Sequence, residues 1–85
     1  MKLVIAIIRS IDGGPAIDAL VGKGYRVTRV ASTGGFLRRG NVTLLVGVED
    51  AEVEAVIDTL RQSCSPPDPS RGVVFVVDAP YFEQI

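Results

Sequence analysis

The order strand, helix, strand, strand, helix, strand predicts an α+β chain of the ferredoxin-like class, a βαββαβ unit with a four-stranded antiparallel sheet and two helices on one face. Three features give that order: four β-rich apolar runs, two stretches of helical periodicity, and the Gly- and Pro-rich breaks between them. Residues 2–8 form a nearly continuous apolar run, the pattern of a central strand covered on at least one face. A break is expected at residues 10–14, followed by a helix with Pro15 at its first position, apolar residues Ala16, Ile17, Leu20 and Val21, and Gly24 as the stop. Residues 25–30 alternate, with Arg26, Thr28 and Val30 on one side and Tyr25, Val27 and Arg29 on the other. A loop over residues 31–40 leads to a third strand at 41–48, rich in β-branched residues. Asp50 is the expected N-cap of a second helix, with Glu52 in its first turn and an apolar stripe of Val53, Val56, Ile57 and Leu60. Residues 63–70 hold three of the five prolines and exclude regular structure. Val73 to Val77 is the fourth strand, and a short tail from Tyr81 follows.

Eighty-five residues, 47% hydrophobic and 22% charged, predict one domain over residues 1–85. A domain of this size buries only about 60% of the surface that its unfolded chain exposes. Both helices are assigned to one face of the sheet, so the other face is left uncovered and more apolar than a monomer usually tolerates. Association of sheet against sheet is the expected remedy. The single cysteine, Cys64, excludes a disulfide framework within the chain and fits a reducing compartment. No apolar run approaches the roughly 20 residues that span a bilayer, and the opening Met-Lys-Leu-Val-Ile-Ala-Ile-Ile is stopped at Arg9 without a small-residue cleavage site. The expectation is a cytoplasmic protein with no membrane span.

The chain has no histidine, which removes the usual general base, the Ser-His and Cys-His nucleophile pairs and the common zinc sites, and predicts a protein that is not an enzyme. Other occupants of the fold are tested by what the residues lack. The first loop has no Cys-x-x-Cys for metal transfer, and strands one and three carry no aromatic side chains on which RNA bases stack. Net charge is only -1, which gives no sign of a nucleic-acid polymer as partner. The charges are nonetheless sorted along the chain. Lys23, Arg26, Arg29, Arg38 and Arg39 are followed by Glu49, Asp50, Glu52, Glu54 and Asp58, and the basic block encloses a Gly-Gly loop.

Residues 26–41 therefore carry the chemistry. Gly34 and Gly35 let backbone N–H groups face a concavity, Thr28 and Thr33 offer hydroxyls, and the arginines supply charge. Asn41 pairs a donor with an acceptor, and Phe36 and Leu37 give an apolar surface for a base. Together they suit a phosphorylated nucleoside. Each feature also has a plainer reading: a Gly-Gly turn, a core plug at Phe36, solvated arginines, and an asparagine that holds a turn.

The segment Ala31-Ser32-Thr33-Gly34-Gly35-Phe36-Leu37-Arg38-Arg39-Gly40-Asn41-Val42-Thr43, with Arg26 and Thr28 before it and Gly47 after it, closely resembles the PII-like cyclic-di-AMP receptor family. The opening strand, the Val74-Phe75-Val76 run, Phe82 and Gln84 are similar to that family as well. The resemblance implies a homotrimer, related in architecture to the nitrogen-regulatory PII proteins, that binds a cyclic dinucleotide in each cleft between subunits and signals without catalysis or a cofactor. It implies a site in which Arg26 faces adenine, Thr28 and the Gly35–Phe36–Leu37 backbone surround phosphate or base, and Asn41 reads a base edge. Gly47 leaves room for the ligand, and Phe75 and Gln84 contribute from the end of the chain. The family has a long loop between the second helix and the fourth strand, where only residues 62–71 stand in this sequence. That shortening motivates the alternative reading, a trimeric PII-like scaffold or regulator that contacts a protein partner and has lost or changed its small molecule.

Overall fold

In a computed structural model, which describes residues 1–30, 40–64 and 72–85, β1 (Lys2–Arg9) runs up the middle of a four-stranded sheet. The chain continues through α1 (Ser10–Gly22), β2 (Val27–Val30), β3 (Asn41–Val48), a 3-10 turn (Asp50–Glu52), α2 (Val53–Ser63) and β4 (Gly72–Asp78). The strand order is β2-β3-β1-β4 with every pair antiparallel, so the expected ferredoxin-like α+β fold is observed. β2 and β4 form the two edges.

Alternation along the strands separates the faces. Val4, Ala6 and Ile8 of β1 and Val42, Leu44, Val46 and Val48 of β3 are buried, and they pack with Ala16 and Leu20 of α1 and Val56 and Leu60 of α2 into one core. The helical stripe expected in α2 is therefore the buried one. In α1 it is only partly so: Val21 is 55% exposed although it shares the helical spacing of Ala16, Ile17 and Leu20.

The first helix departs from expectation. Residues 10–14 are its first turns and no break, so Pro15 lies inside the helix. Gly-Gly-Pro is a poor helix starter by propensity, and tertiary contacts override it here. Asp12 is buried in the first turn and paired with Arg9 (Nε to Oδ2, 3.2 Å), and the Ser10 N–H donates to the Gly40 carbonyl (2.6 Å). Gly13 lies against the sheet so closely that a Cβ there would meet Val42 at 2.9 Å. The other end follows the sequence signal. Gly24 adopts φ +91°, its N–H donates to Val21 O (2.9 Å) and the Tyr25 N–H to Leu20 O (3.1 Å), a Schellman ending.

Two further boundaries move. The second strand begins at Val27 and not at Tyr25, and the N-cap before α2 is Glu49, not Asp50. Glu49 and Glu52 form a reciprocal capping box, with the Glu49 N–H donating to Glu52 Oε1 (3.2 Å). The Pro-rich stretch expected from residue 63 starts later, since α2 keeps Gln62 and Ser63, and residues 65–71 lie outside the described residues.

Lys2 and Asp78 face each other across β1 and β4 and form an ion pair. The pair lowers the Asp78 carboxyl below, and raises the Lys2 amine above, its ordinary range, in each case chiefly through the hydrogen bond between them. A depressed carboxylate contributes stability that is present above its unfolded value and is lost as pH falls through its folded value; a raised amine contributes stability below its unfolded value and loses it as pH rises through the folded one. Asp78→Asn is thus expected to lower Tm slightly at neutral pH in low salt. The difference should vanish below the carboxylate range and in high salt, because the pair is exposed. Thermal melts of both proteins at pH 2 and 7 check this, and an equal difference at both would refute it.

Candidate functional site

The register assigns the residues of the helix-free face row by row. One row runs Thr28, Leu45, Ile5, Phe75 from edge to edge; the next runs Val30, Thr43, Ile7, Val73. Gly47 neighbours Leu3 and Val77 in a third row, and Asn41 neighbours Arg9 at the far end. Arg26 stands one residue before β2, exposed, where an extension of the pairing would set it beside Gly47. A Cβ on Gly47 would meet nothing within 4 Å, so this part of the face is open.

The structure thus brings Arg26, Thr28 and Gly47 together at one end of the β2–β3 side of the face and sets Asn41 apart at the other end of β3, about 20 Å along the strand from Gly47. Phe75 shares the face and is likewise set apart. It sits on the opposite edge strand, three strand spacings from Thr28, roughly 14 Å at the usual 4.8 Å per strand. Gln84 is exposed in the tail beyond β4, outside any helix or strand. Gly35, Phe36 and Leu37, the centre of the expected loop, lie outside the described residues.

The face between the two groups is apolar. Leu3, Ile5, Ile7 and Leu45 are half-buried, while Val73 (51%), Phe75 (54%) and Val77 (43%) are exposed. In the tail, Tyr81 and Phe82 are 78% and 66% exposed.

The charge blocks resolve differently from their appearance in sequence. Lys23 belongs to the helical layer, where its ammonium donates to Thr59 Oγ1 (2.9 Å), and Arg29 stands opposite Leu44 and so on the helix side. Of the described basic residues in that block, Arg26 alone continues the alternation of the open face. The acidic block is largely local: Glu49 and Glu52 cap the turn, and Asp58 accepts from Arg61 Nη1 (3.1 Å). Cys64, which the sequence left without a role, packs partly buried against the core at the end of α2.

Two residues of the open face were given no site role by the sequence reading. Arg9, read only as the end of an apolar run, lies beside Asn41 and is held at Nε by buried Asp12; an Arg-x-x-Asp spacing at a strand-to-helix junction was the available signal. Thr43 is 8% exposed on the same face, two positions from Asn41, so alternation from Asn41 would have found it.

A ferredoxin-like sheet with both helices on one side, and an open face that is apolar along β1 and β4 with polar groups toward the two ends of its β2–β3 side, places the chain among small α+β domains. Its family follows from comparison. The model described as "Cyclic-di-AMP receptor" matches residues 1–80, and the chain belongs to that family. A solved structure described as a functionally unknown protein from Pediococcus pentosaceus ATCC 25745 is similar to it at TM-score 0.81 and 29% identity, covering 99% of this chain and 96% of that one. Among the described residues no helix is long and apolar enough to cross a membrane.

Proposed function

We propose that this protein is a cytoplasmic cyclic-di-AMP sensor of PII-like architecture, a homotrimer that binds the dinucleotide in the clefts between its subunits and signals without catalysis to a regulatory partner. The observation that carries the ligand is the family match over residues 1–80. The geometry supports a cleft between chains. Arg26, Thr28, Asn41 and Gly47 lie toward one edge of the sheet, and Phe75 lies on the other. One chain cannot bring Phe75 over Thr28, since Leu45 and Ile5 stand between them; two chains whose open faces pack against each other can. Sheet association would at the same time cover the apolar face from Leu3 to Val77, which is larger and more continuous than the scattered apolar residues of a monomer surface. The absence of histidine from the sequence supports binding over acid–base catalysis.

Calorimetric titration with cyclic-di-AMP, cyclic-di-GMP and ATP, with the mass measured in the same buffer, tests the reading. Cyclic-di-AMP is expected to bind at one site per chain with preference over the other two, on a particle of three chains. A trimer that takes none of these nucleotides would favour the scaffold reading instead, and a monomer would defeat both.

A further inference from the structure

Three side chains among the described residues are both buried and polar: Asp12, Thr59 and Thr43. Asp12 is paired with Arg9, and Thr59 receives Lys23 and donates to the Ala55 carbonyl (2.8 Å). Thr43 Oγ1 is fully inaccessible and has no hydrogen-bond partner among the described residues. A buried hydroxyl without a partner is unfavourable, because it has given up water for nothing.

Local structure gives no reason for the hydroxyl. Thr43 is flanked by Ile7 on β1 and Val30 on β2, and a valine would fill the same volume with the same β preference. Its position gives one. Asn41 is two residues away on the same face, about 7 Å along the strand. Thr28 is its diagonal neighbour across the β2–β3 pairing. Thr43 thus lies between two of the polar groups assigned to the nucleotide.

We infer that Thr43 is a further ligand-contacting residue: a turn about χ1 carries its Oγ1–H from the enclosed position to the open face, where it donates to a hydrogen-bond acceptor of the nucleotide seated between Asn41 and Thr28, a phosphate oxygen or a ring nitrogen. The inference rests on the function proposed above. It requires that the hydroxyl and not the volume matters, so the informative variants are Thr43→Val, which keeps the shape, and Thr43→Ser, which keeps the hydroxyl.

In cyclic-di-AMP titrations of the full chain, Thr43→Val is expected to bind about tenfold more weakly than wild type, the loss of one neutral hydrogen bond. Its unliganded Tm should be equal or higher, with the mass unchanged. Thr43→Ser is expected to stay within about twofold of wild type, a small fraction of one hydrogen bond. Wild-type affinity in Thr43→Val, alongside lost binding in Arg26→Ala, would overturn the role of Thr43 and leave the receptor reading standing. A fall in mass or unliganded Tm in Thr43→Val would assign the hydroxyl to subunit packing and also overturn it. No binding by the wild-type protein would remove both readings at once.

Discussion

Arg26→Ala combined with Asn41→Ala is expected to weaken cyclic-di-AMP binding by at least 100-fold while the oligomeric mass and the unliganded Tm stay within error of wild type. A guanidinium stacked on a purine and an amide bonded to a base edge are each worth about 1–3 kcal/mol, and 2.7 kcal/mol is about 100-fold. Neither side chain is part of the core: Arg26 is exposed just before β2, and Asn41 is half-buried at the start of β3 on the helix-free face. Their loss should therefore leave folding alone. Asn41→Asp separates recognition from mere size, since a carboxylate cannot donate to an adenine acceptor and repels the phosphates. Calorimetry and light scattering on wild type and the variants check the expectation, and wild-type affinity in the double variant would exclude both residues from the binding site.

Much of this architecture is legible in the sequence because local and tertiary preferences agree there. β3 was bounded from its β-branched run at Asn41 and Val48, and Gly24 marked the end of α1 because a positive φ is where glycine is cheapest. The start of α1 was illegible for the opposite reason. Gly13, Gly14 and Pro15 argue locally against a helix, and what makes one is the close approach of Gly13 to Val42 together with the buried Arg9–Asp12 pair, contacts between residues brought together only by the fold. The site divides in the same way. Alternation put Arg26, Thr28 and Val30 on one side of the chain, and the register carries Thr28 and Val30 to the helix-free face. The separation of Phe75 from Thr28 depends on strand order, which alternation does not encode. Arg9 was missed because it looks like a strand end until the register sets it beside Asn41, whereas Thr43, quoted in the segment that carries the resemblance, was within reach of alternation from Asn41.

Ile5→Glu is expected to reduce the protein to single chains and to abolish cyclic-di-AMP binding together with assembly. Ile5 lies on the central strand of the open face, between Leu45 and Phe75, and is half-buried within one chain. A glutamate there can still reach water in an isolated chain, since the helical core is on the other side of β1 with Val4, Ala6 and Ile8. In an assembly that packs this face against its copies, the same carboxylate is enclosed in an apolar interface beside its own symmetry mates. An unpaired charge in that setting costs several kcal/mol per copy, more than a marginal interface of small subunits tolerates. Circular dichroism should retain the α+β signature while light scattering reports a third of the wild-type mass. On the proposed reading the nucleotide is then lost because Phe75 of one copy no longer meets Thr28 of another. Val21→Glu supplies the control: Val21 is 55% exposed on α1, away from the open face, and should change neither mass nor binding. A trimer that survives Ile5→Glu would mean that the chains associate through some other surface. Retained cyclic-di-AMP affinity in a monomeric Ile5→Glu protein would mean that one chain holds the ligand alone, with Phe75 uninvolved.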